Sequence, residues 1–373
     1  MKLDDFLSSV ADSCKKQGPE QTIVLSSRIR IARNVKGYSF PGWAKKQERI
    51  RLFENVRPVI EGLDEMKASF SDSMENLSHL EKQILVERHL ISREHAARNS
   101  GSGLVLNKDE SFCVMINEED HLRMQLIQPG LQLDNTWQLI NDIDTRLESN
   151  LPYAFSRNLG YLTACPTNVG TAIRVSAMLH LPGLVLSDQI NQVVQAVNKL
   201  GMAVRGLYGE GTDALGNIFQ VSNQMTLGES EKDIIDRLNK VLKQMIEHEQ
   251  NARVMLVEKK PKVVLNQVGR AYGILSNAQS ITSKETMNLL SMMRLGNDFN
   301  LFSKMRRSLV EELFISTQPA HLQKNVKGKL SAEERDLIRA DFLRGKLRSV
   351  SRPADKFADD LVGGDSGGNS DAE

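Results

Sequence analysis

The segment FCVMINEEDHLRMQLI, residues 112–127, joins two apolar runs through three consecutive acids, Glu118, Glu119 and Asp120. The first run and the alternation that follows the acids predict two strands with a turn between them. The second strand is predicted to turn three side chains toward the core, Leu122, Met124 and Leu126. The opposite face then carries His121, Arg123 and Gln125. Three adjacent carboxylates repel one another, so the turn is expected to meet a cation, a metal ion or a proton.

Composition limits the classes of function. The chain has 373 residues, 40% hydrophobic and 25% charged, which suffices for a sizeable core and about two domains. A net charge of +1 and only 5% aromatic residues give no basis for binding nucleic acid. We therefore expect no nucleic-acid partner.

Cysteine usage and hydropathy indicate a cytoplasmic protein. Cys14, Cys113 and Cys165 are scattered and odd in number, which argues against a disulfide framework or a paired-cysteine zinc site. No apolar stretch approaches the ~20 residues of a membrane span. The first residues lack the apolar centre of a signal peptide. We expect no contact with a membrane.

A further strand is predicted at residues 22–33, TIVLSSRIRIAR, where polar and apolar residues alternate. One face is predicted to hold Val24, Ser26, Arg28 and Arg30. The other is predicted to hold Leu25, Ser27, Ile29 and Ile31. The strand would therefore carry cations on one side.

Helical patterns dominate the last part of the chain. Apolar spacing predicts a helix over residues 230–248 that starts near Ser230. From about residue 263 the chain is predicted to be wholly helical, with capping boxes at Thr282/Glu285 and Ser331/Glu334 and a glycine stop at Gly296. The fold class is α+β, with an antiparallel sheet flanked by helices and an all-helical C-terminal domain. We expect an N-terminal extension over 1–20, an α+β domain over 21–258, a helical domain over 263–350 and a disordered acidic tail over 351–373.

Arginines and acids remain once the common motifs are excluded. No Walker-type glycine loop, dinucleotide fingerprint, nucleophile elbow or zinc-protease helix occurs. Five arginines lie in the predicted sheet region: Arg28, Arg30, Arg123, Arg174 and Arg205. If they converge, their guanidinium groups would suit a polyphosphate. For each arginine alone, a solvated surface charge stays the alternative.

Four segments carry a family resemblance: VLSSRIRIARN (24–34), NEEDHLRM (117–124), YLTACPTNVGTAIR (161–174) and RGLYGEGTDALGNIFQVSN (205–223). They resemble the guanidino-phosphotransferases, the creatine and arginine kinases. The resemblance covers about residues 20–250 and implies that the arginines hold ATP phosphates, with Mg²⁺ brought by the nucleotide and no metal site built from protein residues. The helical C-terminal part and RDLIRA (335–340) instead resemble the bacterial protein arginine kinases. Because the first predicted strand begins near residue 24, we expect no counterpart of the N-terminal domain that encloses a free guanidine in the small-molecule kinases.

The resemblance implies roles for three residues at the substrate guanidinium. Glu119 is the base that removes a proton, and Glu210 is a second carboxylate that clamps the planar cation. Cys165 is the thiol beside the guanidinium, where a nearby cation should favour the thiolate. Glu118 and Asp120 are interpreted as structural. The alternatives are an exposed turn acid for Glu119 and buried packing for Cys165, which also stays our reading of Cys14 and Cys113.

The resemblance also implies a nucleotide site. Its residues are Ser26, Ser27, Arg28, Ile29, Arg30, His89, Arg123, Arg174, Met178, Arg205, Gly206 and Gly209. Leu106, Met178 and Gln220 replace residue types typical of the phosphagen kinases, so the contacts with adenosine are expected to differ. For His89, a structural histidine is the alternative.

The RDLIRA helix has its own interpretation. Arg335 and Arg339 are four residues apart and are predicted to project together beside Asp336, with Ala340 next in the motif. Paired guanidiniums could grip the phosphate of phosphoarginine while the carboxylate holds its guanidinium. The resemblance implies such an allosteric, product-sensing site. The alternative is a solvated face with an ion pair between Asp336 and Arg339.

The resemblance implies an ATP-dependent kinase that phosphorylates arginine side chains of proteins in the stress response. The resemblance further implies a homodimer through the C-terminal domain, a zinc-binding activator protein, a heat-shock repressor as substrate and delivery of marked proteins to a Clp ATPase. Two alternatives stay open: a kinase for a free small guanidine, and a non-catalytic phosphoarginine-binding adaptor.

Overall fold

A computed structural model describes residues 17–206 and 214–358. In these ranges the strands are β1 (Val24–Arg33), β2 (Phe70–Ser73), β3 (Gly103–Leu106), β4 (Phe112–Ile116), β5 (Leu122–Pro129), β6 (Phe155–Ser156), β7 (Gly160–Tyr161), β8 (Ile173–His180), β9 (Met202–Gly206) and β10 (Ile218–Asn223). Eight of them form one antiparallel sheet in the order β2-β3-β4-β5-β1-β8-β10-β9. β6 and β7 form a separate small hairpin.

The helices of the α+β region are α1 (Lys46–Glu61), α2 (His79–Glu87), α3 (Arg93–Ala96), α4 (Leu133–Glu148), α5 (Pro182–Leu186), α6 (Ile190–Lys199) and α7 (Glu231–Lys259). The helical region contains α8 (Pro261–Asn277), α9 (Ser283–Asp298), α10 (Arg307–Ser316), α11 (Pro319–Lys324) and α12 (Ala332–Leu347). The predicted α+β class with a helical C-terminal part is confirmed.

One face of the sheet forms the main core. Leu122, Met124 and Leu126 of β5 are buried there, as predicted, and the three acids occupy the turn between the paired strands β4 and β5. Helices α1, α4, α6 and α7 add their apolar stripes to this core. On the other face, His121 and Gln125 are also buried, so part of this face is covered too.

The alternation predicted for β1 is interrupted near its start. The register with β8 shifts between Val24 and Ser26, and this irregularity changes the face of the residues before it. Val24 is therefore in the main core with Ile29, whereas Leu25 packs against the helical region. The predicted placement of Val24 and Leu25 is wrong; that of Arg28, Arg30, Ile29 and Ile31 is confirmed, because they follow the shift.

Two apolar covers lie on the second face of the sheet. At the β3–β4 end, α2 and the residues after it pack on Leu104, Leu106 and Met115. At the other end, α8, α9, α10 and α12 form a second core that reaches Ile218 of β10. The middle of the face, on β5, β1 and β8, is left to polar side chains. This strip is where the arginines lie.

Helix boundaries differ from the sequence prediction at two places. The Ser230 hydroxyl accepts from the Asp233 N–H and caps α7 as predicted, but the helix continues to Lys259 instead of ending at 248. The predicted stop at Gly296 lies inside α9. A Cβ at Gly296 would lie 2.5 Å from Cγ1 of Val268, so this glycine serves close helix packing.

Of the two predicted capping boxes, the one at Ser331/Glu334 is reciprocal, whereas at Thr282/Glu285 only the bond to the Thr282 side chain is present. Thr282 caps α9 by accepting from the Glu285 N–H. Ser331 and Glu334 form a reciprocal capping box at the start of α12. Phe357, which lies in the segment predicted to be an acidic tail, packs edge-on against Phe299. Among the described residues, no helix is long and apolar enough to cross a bilayer.

Candidate active site

Four of the five predicted arginines share the polar strip. Arg30 of β1 lies directly opposite Arg174 of β8, and Arg28 lies opposite Ser176 of β8. Arg123 projects from β5 on the other side of β1, and its charge acts on Arg28, Arg30 and Arg174. Arg205 is on β9 opposite Gln220 of β10 and is exposed. We call these five residues the arginine cradle.

Neutral side chains orient the cradle. Arg28 Nη2 donates to Gln220 Oε1 at 2.9 Å, and its Nε donates to Ser176 Oγ at 3.4 Å. Arg174 Nη2 donates to Ser222 Oγ at 3.0 Å. The sequence analysis did not identify these two serines; their even spacing from Arg174 and Gln220 along alternating strands was the available signal. Their contacts fix the guanidiniums without neutralising them.

The cradle keeps an excess of positive charge, because Glu118 pairs with Arg123 while neutral groups hold Arg28 and Arg174. Burial and the neighbouring arginines lower the pKa of Arg28 to about 10 and hold the pKa of Arg30 well below its ordinary value. Nε of Arg30 is buried without a hydrogen-bond partner within the described part of the chain. Crowded cations with spare donors favour an anionic ligand.

Two adjacent cavities open over the cradle. The first, which we call the cradle cavity, is lined by Arg28, Arg30 and Arg123 together with His89 and Ser92. The second, the interdomain cavity, shares Arg28 and His89 and is lined on the sheet by Ser26 and Met178. Its far wall comes from the helical region through Met287, Phe314 and Ile315. A charged compartment beside an apolar one fits a nucleotide, whose phosphates and base differ in the same way.

Two predicted nucleotide residues point away from these cavities. Ser27 Oγ donates to the Gly130 carbonyl at 2.8 Å on the core face, and Ile29 is fully buried in the main core. Their side chains cannot reach a ligand in the cradle, so this part of the predicted site is corrected to the alternate residues Ser26, Arg28 and Arg30. Gly206 ends β9 opposite Phe219, and Gly209 lies outside the described residues.

His89 lies at the junction of the two cavities. It has a left-handed backbone, with φ of 59°, and its carbonyl accepts from Gln125 Nε2 at 2.9 Å. Burial and the Arg28 charge lower the pKa of His89 to about 4, so the ring is neutral near pH 7. It adds a polar but uncharged surface beside the cradle.

Glu118 positions the cradle from the acid turn. Its buried carboxylate accepts from Arg123 Nη1 and from the Ser92 hydroxyl. Burial alone would raise its pKa, but the Arg123 guanidinium holds the pKa of Glu118 below its ordinary value. This contact agrees with the structural role that we predicted for Glu118.

Asp120 connects the acid turn to the segment that carries Cys165. Its Oδ1 accepts from Asn34 Nδ2 and from the Ala164 N–H, both at 2.7 Å. Asn34 Nδ2 also donates to the Leu162 carbonyl at 2.9 Å. These contacts bring Glu119 and Cys165 to the same corner of the sheet, since each is adjacent in sequence to one of the bonded residues.

Glu119 is the exposed member of the three acids. Partial shielding from water and the charges of Asp120 and Glu118 raise its pKa, which favours proton uptake. Cys165 is half-buried, and its Sγ lies 3.0 Å from Thr167 Oγ1. Glu210 lies outside the described residues, so its position relative to this corner is not described.

Cys113 has a packing role, as predicted. It is buried, its Sγ lies 3.0 Å from the Leu90 carbonyl, and burial raises the pKa of the thiol to about 12. Leu106, which replaces a family histidine, is fully buried under α2. Neither side chain reaches the cavities over the cradle.

The RDLIRA residues do not project together. Arg339 is buried, and it donates through Nε to the Thr317 carbonyl and through Nη1 to the Ile281 carbonyl, both at 2.9 Å. Nη1 also donates to Asp336 Oδ1. Arg335 is half-buried and donates to the Leu330 carbonyl at 3.2 Å. Ala340 is buried. The predicted paired grip is therefore corrected: Arg339 stabilises the fold, and Arg335 is the arginine nearer the surface.

Metal ligands do not cluster in the described ranges, where no group of three or more His, Cys, Asp or Glu residues could hold an ion. Glu118, which lies beside the cradle, is already paired with Arg123. Carboxylates are the protein ligands that Mg²⁺ prefers. Glu118 is therefore engaged with a cation of the protein itself.

Two family models match the chain. The first, ATP:guanido phosphotransferase, C-terminal catalytic domain, matches residues 51–252. The second, Protein-arginine kinase McsB C-terminal domain, matches residues 261–358. The first model thus covers the sheet region after β1, and the second covers the helical region.

Solved structures show the same fold. A lombricine kinase superposes with a TM-score of 0.56 at 24% identity, covering 67% of this chain and 70% of that one. The duplicated taurocyamine kinase from Schistosoma mansoni, with bound transition-state analogue components, gives 0.57 at 20% identity and covers 80% of this chain and 50% of that one. At these identities the likeness supports the guanidino-kinase fold.

Curated relatives cover nearly the whole chain. The protein-arginine kinase of Halothermothrix orenii is 44% identical over 93% of this chain and 99% of its own length. That of a Geobacillus species is 44% identical over 94% and 97%, and that of Bacillus cereus 44% identical over 93% and 99%. The chain belongs to the protein-arginine kinase family.

Proposed function

We propose that this chain transfers the γ-phosphoryl group of ATP to arginine side chains of proteins. The observation that carries the proposal is that one sheet face brings a cationic cradle beside a corner with an exposed carboxylate and a thiol. A phosphoryl group held at the first could be attacked by a guanidine held at the second.

The nucleotide would bind at the arginine cradle and the interdomain cavity. Arg28, Arg30, Arg123, Arg174 and Arg205 would bind the phosphates and offset the charge that spreads over the transferring group. The interdomain cavity would take adenosine, with contacts from Ser26, His89 and Met178. Mg²⁺ would be held through the nucleotide phosphates and would neutralise part of their charge.

The substrate guanidinium would bind at the corner of the sheet that carries Glu119 and Cys165, which we call the acid corner. An arginine guanidinium has a pKa above ~12 and no free lone pair, so it needs a base before it can attack. Glu119 would accept that proton, and its raised pKa suits the task. Glu210 would clamp the other edge of the cation, and Cys165 would contact it from the side.

An arginine carried by a protein suits the exposure of this corner. Glu119 is open to solvent and Cys165 is half-buried, so a guanidinium at the end of a side chain can arrive from outside. A kinase for a free guanidine would use the same residues. Incubation with ATP and either free arginine or an arginine-bearing protein separates the two activities.

The test is mass spectrometry of a protein substrate after treatment with ATP, under acid-free handling that preserves the P–N bond. We expect phosphoarginine with the natural chain and none with Glu119→Gln. Absence of phosphoarginine with the natural chain would contradict the function. An unchanged yield with Glu119→Gln would contradict the assigned base.

We also propose a product-sensing site at Arg335 and Asp336. The proposed coupling to the active site would run through Arg339, which donates to the Thr317 carbonyl just before α11. The N–H groups of Ala320 and His321 in α11 donate to Glu87 at the end of α2, two residues before His89. A ligand that shifts α12 could therefore alter the cavity wall.

A purely non-catalytic adaptor would need only the helical region, and the presence of the arginine cradle argues against it.

The remaining expectations stay proposals. They are the domain limits at 21–258 and 263–350, a homodimer through the helical domain, and a cytoplasmic role in which a zinc-binding activator controls the kinase. A heat-shock repressor would be one substrate, and marked proteins would pass to a Clp ATPase.

A further inference from the structure

Large apolar side chains are exposed on the segments around the acid corner. Five residues between 47% and 88% exposed belong to these segments: Trp43, Phe155, Leu159, Met225 and Leu227. We call them the apolar rim. Single exposed apolar side chains are common on protein surfaces, whereas a group of them around one site indicates a binding surface.

The hairpin and the β10 extension are joined to the Cys165 segment. Tyr161 N–H of the β6–β7 hairpin donates to the Gly170 carbonyl at 2.8 Å. Thr226 Oγ1 lies 3.0 Å from the Thr167 carbonyl and 2.8 Å from that of Val169. Leu159 and Leu227 therefore lie on two segments that pack on either side of the residues following Cys165.

Glycines allow this close approach. A Cβ at Gly160 would lie 2.5 Å from the Gly170 carbonyl oxygen, and one at Gly170 would lie 2.2 Å from the Thr226 carbonyl oxygen and 2.9 Å from Leu227 Cα. Both glycines also have left-handed backbones, with φ of 77° and 112°. The backbones of the hairpin, the Cys165 segment and the 225–227 segment are in direct contact.

The loop with Trp43 is held by the residue that follows Asp120. The Val35 N–H donates to His121 Nδ1 at 3.0 Å, and His121 Nε2 lies 2.9 Å from the Ser39 carbonyl. A bridge between Val35 and Tyr153 joins this loop to the start of the hairpin. Trp43 is thus tied through one histidine to the turn that carries Glu119.

We propose that the apolar rim binds apolar side chains that flank the target arginine in a protein substrate. The inference rests on the proposed function and specifies its substrate class. An arginine side chain is only a few bonds long, so when its guanidinium reaches the Glu119 corner its main chain must run over the segments that form the rim. Neighbouring apolar residues then bury surface against the rim, at about 25 cal/mol per Å².

The test compares two peptides that differ only around one arginine, one with leucine and phenylalanine neighbours and one with serine and asparagine neighbours. Phosphoarginine formation gives kcat/KM for each. We expect the natural chain to favour the apolar peptide by about tenfold, the scale of discrimination by small apolar contacts. Leu159→Ser with Leu227→Ser should remove most of that preference and leave the polar peptide unchanged. Leu139→Ser on α4, also an exposed leucine, is the matched control and should change neither rate.

The outcomes separate the inference from the proposed function. Equal rates on both peptides with the natural chain would overturn the proposal that the apolar rim binds flanking apolar side chains. An equal loss of rate on both peptides in the double variant would overturn it as well. An unchanged preference in the double variant with an altered sedimentation coefficient would assign these side chains to contacts between copies and would also overturn it. Phosphorylation of neither peptide by the natural chain would overturn the proposed function and the rim with it.

Discussion

Arg30 and Arg174 lie directly opposite each other on adjacent antiparallel strands. Like charges in this relationship destabilise a sheet by a few tenths to about 1 kcal/mol. Burial and the surrounding arginines lower the pKa of Arg30, and its Nε has no hydrogen-bond partner within the described ranges. The sheet therefore carries a local cost that an anion would remove.

Replacing Arg30 should separate stability from binding. In Arg30→Met the ligand-free protein should gain about 1 kcal/mol in the free energy of unfolding, because a crowded cation is replaced by an apolar side chain. Stabilisation by ATP should be lost, and kcat/KM should fall by about 100-fold or more, as when one preorganised donor is removed. Thermal unfolding with and without ATP, together with the kinetic assay, measures both effects.

Arg51→Met is the matched control, because Arg51 is an exposed arginine on α1. It should alter neither ATP stabilisation nor kcat/KM. A ligand-free Arg30→Met protein that is less stable than the natural chain would contradict the cost assigned to the paired cations.

The acid limb of the pH profile should depend on Asp120. Partial shielding, Asp120 and Glu118 raise the pKa of Glu119, so activity that needs the Glu119 carboxylate is lost as pH falls through that raised pKa. Asp120→Asn removes one negative neighbour, and its amide oxygen can still accept from Asn34 and Ala164. The acid limb of kcat/KM should therefore move to lower pH.

The control for this shift is Asp142→Asn, which removes an exposed acid of α4. It changes net charge equally but should leave the acid limb in place. An acid limb that does not move in Asp120→Asn would show that Glu119 is not the group titrating there.

The two described cysteines should differ in reactivity. Cys113 is buried and its pKa is raised to about 12, whereas Cys165 is half-buried at the acid corner. Iodoacetamide should modify Cys165 in the folded protein and Cys113 only after unfolding, as read by peptide mass mapping. ATP with an arginine peptide should slow the reaction at Cys165. Faster labelling of Cys113, or no protection of Cys165, would contradict this placement.

Alternation in the sequence was sufficient to find the sheet face that carries the arginines. The period of two in residues 26–31 and 122–126 placed Arg28, Arg30 and Arg123 away from the core. The same alternation placed Ser27 and Ile29 on the core side, so their inclusion in the nucleotide site followed the family segment rather than the strand geometry. Where both sources are available, the strand period decides which side chains can reach a ligand.

Contacts between distant segments could not be read from spacing. Asp120 bonds to Asn34 and Ala164, and nothing local in NEEDHLRM distinguishes it from Glu119. Gly296 had the appearance of a helix stop, but it contacts Val268 of the neighbouring helix, a contact set by tertiary packing. Such pairings depend on which segments meet, which local propensity does not determine.

The burial of Arg339, in contrast to those contacts, could have been predicted from the sequence. It lies four and eight residues before Leu343 and Leu347, and all three are buried with Ala340 on one stripe of α12. An arginine on the buried stripe of a helix must satisfy its guanidinium inside the protein, as Arg339 does with two carbonyls and Asp336. The spacing to Arg335 alone suggested a surface pair.

Stability and phosphoarginine binding should therefore divide between the two arginines of this motif. Arg339→Met leaves the Thr317 and Ile281 carbonyls without their donor and should cost about 2–4 kcal/mol in the free energy of unfolding. Arg335→Ala, which breaks one contact with the Leu330 carbonyl near the surface, should change stability by less than about 1 kcal/mol. It should nevertheless abolish binding of phosphoarginine, as should Asp336→Asn. Calorimetric titration and thermal unfolding of each variant measure the two quantities.

Glu333→Gln, an exposed substitution on the same helix, is the control and should leave both stability and phosphoarginine binding intact. Undiminished phosphoarginine binding in Arg335→Ala would rule out the sensing site, because Arg339 is already committed to the fold.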